Sequence, residues 1–211
     1  MKLLITIPTK EMKISIPLAK FLTDSKVTFY IETNPFLDMA RNLLLYRAMK
    51  SDADAVLMLD DDIIPKVPLE VVVNDKLIEE NDVVCGIYWV RSTGSVSVAV
   101  ENELFDGLVW LPQPPVKPLR VSVCGTGFMI VNTDFLRKTF PKAKEIGGWF
   151  RTQIEDWDKG KYIGEDVFFF KTFRPNTVAD PKLTAWHRAY GMYYFNEHGV
   201  IEAPFIRWGE E

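Results

Sequence analysis

A chain of 211 residues, 47% hydrophobic and 26% charged, has the composition of a folded globular protein and room for one sizeable domain. Its formal charge of −4 lacks the basic footprint that a nucleic-acid partner requires. The N-terminal MKLLITIPTKE turns polar too soon for a secretory leader, and no apolar run is as long as a membrane span, so a soluble cytoplasmic protein is expected.

The first half alternates strand and helix signals. KLLITIP reads as a buried strand. Ser15 is placed to cap a helix that carries Pro17 in its first turn and Leu18, Phe21 and Leu22 on one face. VTFYIE is a second strand, and FLDMARNLLLYRAMK a helix with Leu37, Ala40, Leu44 and Ala48 at helical spacing. AVLMLD is a third strand running straight into Asp60-Asp61-Asp62. Pro68 opens a further helix, PLEVVVNDKLIEEN, and DVVCGIYWV is a fourth strand. This rhythm implies an α/β fold with a mostly parallel central sheet flanked by helices.

The second half is different. SVSVAV and ELFDGLVWL suggest hairpins, and LPQPPVKPL must be loop. RVSVCGTGFMIVN reads as strand, tight glycine turn, strand. GEDVFFFKTFRP reads as a short helix stopped by Pro175, and the tail from Thr177 to Trp208 as irregular. Cys85 and Cys124 lie in apolar runs and are expected as buried free thiols. The whole is expected as one domain over 1–211, a nucleotide-binding half to about residue 95 and a smaller β-rich acceptor half after it.

Ligands of parallel α/β sheets bind beyond the carboxyl ends of the strands, which is where LMLDDDIIP puts its three carboxylates. Adjacent like charges repel unless a cation sits among them. Asp60 and Asp62 fall on one side if strand geometry continues, an arrangement suited to a hard divalent ion shared with substrate phosphates. A solvated loop with one Asp capping the next helix is the simpler alternative.

Three later features carry chemistry of their own. Gly125 and Gly127 let backbone approach a ligand, although a hairpin turn would use them too. Glu165 and Asp166 open a helix, where a carboxylate is held ionised and can serve as a general base, or merely cap the helix. His187 is a possible ligand for a transition metal, while a structural role is the commoner one for a lone histidine. His198, in the turn-like NEHGV, is expected at the surface. Trp149, Phe150, Trp157 and Tyr162 precede the acidic pair; Phe150 is expected in the core and Trp149 in a mobile lid against a sugar.

MARNLLLYRAMKSDADAVLMLDDDIIP resembles the core of the GT-A glycosyltransferases, above all their family 2. Arg41-Asn42, Ser51-Asp52 and Asp60-Asp61-Asp62 stand in the places of that family's helix, polar stretch and Asp-x-Asp. Gly125-Thr126-Gly127, Gly164-Glu165-Asp166 and His187 follow in the family's order, so the likeness spans most of the chain. It implies a GT-A fold and sugar transfer from a UDP- or GDP-sugar to a saccharide, lipid-linked or protein hydroxyl, with Mn²⁺ or Mg²⁺ as cofactor. By the same likeness Asp62 and His187 are metal ligands with Asp60 as companion. Asp166 is the base of an inverting transfer, and Glu165 helps orient the acceptor. Pro8, Thr9, Glu11, Glu32, Arg41, Asp60, Asp61, Gly125 and Gly127 are the donor-contact candidates. Glu32-Thr33-Asn34 departs from the family's Asp-rich turn, which leaves the base open. Arg188 is either a second cation for the phosphates or a surface residue. Two competing readings are a metal-dependent nuclease or phosphoryl-transfer enzyme, and a non-catalytic sugar-binding module.

Overall fold

The computed structural model describes residues 1–10, 13–73, 76–90, 94–102, 107–188, 192–196 and 199–203, as backbone only from 188 onward. β1 (Leu3–Thr9) is buried along its whole length. It leads to α1 (Ile16–Ser25), whose N-cap Ser15 accepts from the Leu18 amide at 3.2 Å, with Pro17 in the first turn. β2 (Phe29–Thr33), α2 (Leu37–Lys50) and β3 (Ala55–Leu59) follow as the sequence pattern requires. After the acidic turn come β4 (Ile63–Pro65), α3 (Leu69–Val73), α4 (Leu77–Glu80) and β5 (Val83–Ile87), so the helix expected from Pro68 is two short pieces.

The second half holds β6 (Trp89–Val90), β7 (Ser95–Val96), β8 (Val98–Asn102), β9 (Gly107–Trp110), β10 (Leu119–Arg120), β11 (Val123–Cys124) and β12 (Phe128–Asn132). α5 (Thr133–Ile146), β13 (Gln153–Asp156), β14 (Lys161–Ile163), α6 (Glu165–Phe173), β15 (Thr177–Arg188), β16 (Met192–Asn196) and β17 (Gly199–Ala203) complete it. α5, a helix not among the elements expected from the sequence, contains Pro141; its N-cap Asn132 accepts from the Asp134 amide, and the buried Phe135, Leu136 and Ala143 hold it to the sheet. The tail expected to be irregular contains the long strand β15.

β2, β1, β3, β5 and the start of β15 run in one direction, the mostly parallel centre of a mixed sheet. β12 is the exception: it runs antiparallel between β3 and β5, with Ile130 opposite both Leu57 and Val84. Helices cover both faces, so the central strands read as continuous apolar runs. Alternation still sorts their side chains. Leu4, Met58, Val56 and Met129 pack on one face with Phe135, Phe150 and Phe169, while Ile5, Ile7, Leu57 and Ile130 pack on the other with Leu18 and Leu22.

Two expectations are corrected here. Gly125–Gly127 is not a hairpin turn, since β11 pairs with β8 in a small three-stranded sheet and β12 belongs to the main one. The glycines carry the chain from one sheet to the other. Cys85 and Cys124 are not free thiols but a disulfide, with Cα atoms 6.4 Å apart. β11 folds over β5 and turns both side chains into the same apolar layer, a relationship that spacing along the chain does not reveal.

Candidate active site

The acidic triplet begins where β3 ends. The Asp60 amide donates to the Gly127 carbonyl at 3.1 Å, and the Ile63 amide closes back on the Asp60 carbonyl at 3.0 Å. The three carboxylates therefore leave a tight turn in different directions. That of Asp60 meets Arg41, whose Nη2 donates to both its oxygens at 2.8 and 3.0 Å. Arg41 Nη1 donates to Glu165 Oε1 at 2.5 Å and lies 3.9 Å from Asp166 Oδ1. The guanidinium is buried on α2. Burial alone would lower its pKa, but Asp60, Asp166 and Glu165 more than reverse this, and it stays cationic.

Asp166, in the first turn of α6, accepts from the Thr126 hydroxyl at 2.8 Å. Burial pushes its carboxyl up to about 6, with the charges of Glu165 and Asp60 adding to the rise and Arg41 and Thr126 opposing it. A helix N-terminus is expected to keep this group ionised at neutral pH; loss of solvent opposes that and raises the pKa, yet at about 6 the group is still ionised there. About 30% of the side chain remains accessible, so the carboxylate is recessed yet open to the cleft.

Asp62 turns the other way, to His187 on β15, with Oδ2 3.3 Å from Nε2. The Trp89 carbonyl lies 2.8 Å from His187 Nδ1; a proton on Nδ1 donated to it leaves the Nε2 lone pair facing Asp62. Asp61 accepts from Thr9 Oγ1 at 2.5 Å, and burial raises its pKa against that bond. Tyr88 joins the parts: its hydroxyl accepts from the Gly127 amide at 3.2 Å, and its ring stands edge-on to His187. A Cβ on Gly125 would come within 2.2 Å of that hydroxyl, and one on Gly127 within 3.0 Å of Asp60 Oδ2. Only glycine fits this approach.

Asp62 and His187 fit a divalent ion as a pair. Neighbouring ligands about 2.1 Å from an octahedral metal sit roughly 3 Å apart, close to their separation of 3.3 Å. No cluster of three or more metal-ligating side chains forms among the described residues, and Asp60 faces Arg41 rather than this pair. The remaining positions would fall to substrate oxygens and water.

The other candidates are distributed around this centre. Pro8 and Thr9 end β1, in register with Glu32 and Thr33 on β2. The Glu32 carboxylate is taken by Arg47 at 2.7 Å. Glu11 and His198 lie outside the described residues, and only the backbone of Arg188 is described. Trp149 is not a lid contact. It is buried, and its indole donates to Thr139 at 3.0 Å. Asn42 holds that segment in place, accepting from the Trp149 and Phe150 amides at 2.7 and 3.0 Å. Phe150 stacks on Phe169 in the core, as expected. Trp157 and Tyr162 are exposed. The sequence reading missed Tyr88 and the role of Thr126. A tyrosine in an apolar strand looks like core, and the threonine was overshadowed by its flanking glycines.

No family model and no curated protein matches the chain in sequence. Among solved structures, the crystal structure of A197 from STIV is similar at 25% identity and a TM-score of 0.73, over 97% of this chain and 95% of that one. HddC from Yersinia pseudotuberculosis complexed with GMP-PN is 12% identical with a TM-score of 0.47, over 89% and 93% of the two chains. S. aureus TarS 1–349 in complex with UDP is 13% identical with a TM-score of 0.42, over 87% and 60%. The last two likenesses are too loose to carry an inference about this chain, whereas A197 shares its fold almost end to end.

Proposed function

We propose that the chain is a GT-A glycosyltransferase that moves a sugar from a nucleoside-diphosphate donor to a hydroxyl acceptor with inversion. The observation that supports this best is convergence. Arg41, Asp60, Thr126, Glu165 and Asp166, from four separate stretches of sequence, form one bonded cluster at the end of β3, beside the Asp62–His187 pair. A capping role alone would not bring Asp166 to the glycine segment, nor Glu165 to a buried arginine.

In this reading the donor lies across the ends of β1 and β3, against Pro8, Thr9, Asp61 and the backbone at Gly125 and Gly127. Glu32, opposite Pro8 in register and paired with Arg47, borders the base through that ion pair. Asp62 and His187 would hold Mn²⁺ or Mg²⁺, which when bound neutralises charge building on the departing diphosphate. Asp60, held by Arg41, keeps the turn in shape and faces the donor. Glu165, held by the same guanidinium, borders the acceptor. Asp166 Oδ takes the proton from the acceptor hydroxyl as the new C–O bond forms at the anomeric carbon and the bond to the phosphate oxygen breaks. A base with a pKa about 6 is ionised at neutral pH and still basic enough to accept that proton, an effect worth typically about 10²–10⁴-fold in rate.

The test is incubation with a panel of UDP- and GDP-sugars and Mn²⁺, reading released nucleoside diphosphate. Metal-dependent release that falls in Asp62→Asn is expected. Failure of every sugar nucleotide to bind or turn over would remove this reading, and nucleic-acid cleavage under the same conditions would favour phosphoryl-transfer chemistry.

A further inference from the structure

β13 and β14 form a two-stranded ribbon separate from both larger sheets, and its chain continues through Gly164 into Glu165 and Asp166. Its two faces differ. On one, Glu155 takes Lys161 and Lys171 at 3.0 Å each, pinning the ribbon to α6. On the other, Ile154 and Tyr162 are cross-strand partners, 41% and 68% exposed. The turn that joins the two strands carries Trp157, 82% exposed. The turn itself is fixed, because Asp156 Oδ1 accepts from the amides of Asp158 and Lys159 at 3.0 and 3.1 Å. Trp157 and Tyr162 thus stand on a hydrogen-bonded ribbon and turn.

We propose that this ribbon is the acceptor subsite of the transferase and that the acceptor is a neutral saccharide, stacked by its apolar ring faces on Trp157 and Tyr162. The inference rests on the transferase reading above. Charge selects the class of ligand. Three basic and three acidic side chains lie between residues 151 and 163. Lys159 and Lys161 are paired internally, to Asp156 at 3.3 Å and Glu155 at 3.0 Å. The stretch therefore has no net charge, and a net positive field that would draw an anionic lipid surface or a phosphorylated ligand is missing from it. A polyol needs none: aromatic rings supply flat apolar area at low entropic cost, and polar neighbours meet the hydroxyls. Reach is adequate as well. Tyr162 and Asp166 are four residues apart, at most about 14 Å of extended chain, so a short saccharide resting on the ribbon can present a hydroxyl to the base.

The experiment is saturation-transfer NMR with maltose, cellobiose and chitobiose on the full chain, paired with calorimetry of UDP and GDP in Mn²⁺. The wild type is expected to transfer saturation to at least one disaccharide. Trp157→Ala combined with Tyr162→Ala should cut that signal at least fivefold and leave nucleotide affinity unchanged; both side chains are exposed, so folding is preserved. No transfer to any disaccharide in the wild type overturns the proposal, as does transfer that survives the double substitution. Binding to phosphatidylglycerol vesicles that the double substitution abolishes overturns it in favour of a membrane contact. Nucleotide that binds without any saccharide effect defeats the subsite alone, whereas absence of nucleotide binding defeats the transferase reading beneath it.

Discussion

The Thr126 hydroxyl donates to Asp166 at 2.8 Å, tying the glycine segment that crosses between two sheets to the first turn of α6. This bond favours the ionised carboxylate against burial. Thr126→Val keeps the shape of the side chain and removes the donor. The acid limb of the pH profile of kcat/KM, expected near 6 in the wild type, should move up by roughly one unit. An unmoved limb would mean that Asp166 is not the group titrating in the reaction.

Asp166→Asn should abolish most turnover, by about 10²–10⁴-fold, while leaving metal-dependent UDP or GDP affinity intact. It should also stabilise the fold. A carboxyl whose pKa is raised from 3.8 to about 6 binds more protons folded than unfolded, so stability falls as pH rises through that window. The gain from Asn should therefore be absent below pH 3.8 and full above about 6, on the order of 1–2 kcal/mol after allowing for partial exposure. Urea denaturation at pH 5 and pH 8 reads the difference, and proton NMR of the first-formed product of the wild type reads inversion.

Asp62→Asn should leave the melting temperature close to wild type, since Asp62 is partly exposed and its partner His187 keeps its bond to the Trp89 carbonyl. Calorimetric affinity for UDP or GDP in Mn²⁺ should fall sharply, and His187→Ala should give a milder loss. Equal affinity in the wild type and Asp62→Asn would take the metal away from this pair.

Arg41→Ala leaves Asp60 and Glu165 without their shared cation in a recessed site. The expected cost is about 3–5 kcal/mol of stability at neutral pH, measured by urea denaturation. Arg41→Lys should recover little of it, because an ammonium cannot span Asp60 and Glu165 in the guanidinium's fork geometry. A small loss in Arg41→Ala would show that solvent screens the cluster far better than its burial implies.

The Cys85–Cys124 disulfide closes a sequence separation of 39 residues. Chain-entropy arguments give such a loop about 4 kcal/mol of stabilisation. The double substitution to Ala should lower stability by a comparable amount in non-reducing buffer, and the same loss should appear in the wild type under strong reductant.

Much of this was legible in the sequence where a local pattern had one reading. The β1–α1–β2–α2–β3 alternation, the Ser15 cap and the position of the acidic triplet follow from periodicity and capping chemistry. Partnerships across the fold were not legible. Arg41 could be placed on a helix, yet its grip on both Asp60 and Glu165 depends on how α2 and α6 meet over the sheet. Burial misled as well: Trp149 beside two glycines looked mobile, but Asn42 pins its backbone and Thr139 satisfies its indole. The disulfide and the insertion of β12 are non-local, and no window of sequence reports them.

That insertion bears on how the polypeptide reaches its native state. β3 and β5 both belong to the first half of the chain yet do not touch in the sheet, because β12 occupies the place between them. The acidic turn after β3 and the strand preceding Trp89 therefore acquire their spacing only once residues 128–132 have docked. A fragment ending near residue 95 would expose two strand edges with no shared neighbour, the kind of unpaired surface that invites aggregation. The sheet is completed only by a long-range pairing, that of β12 with β3 and β5, the kind of contact that slows folding.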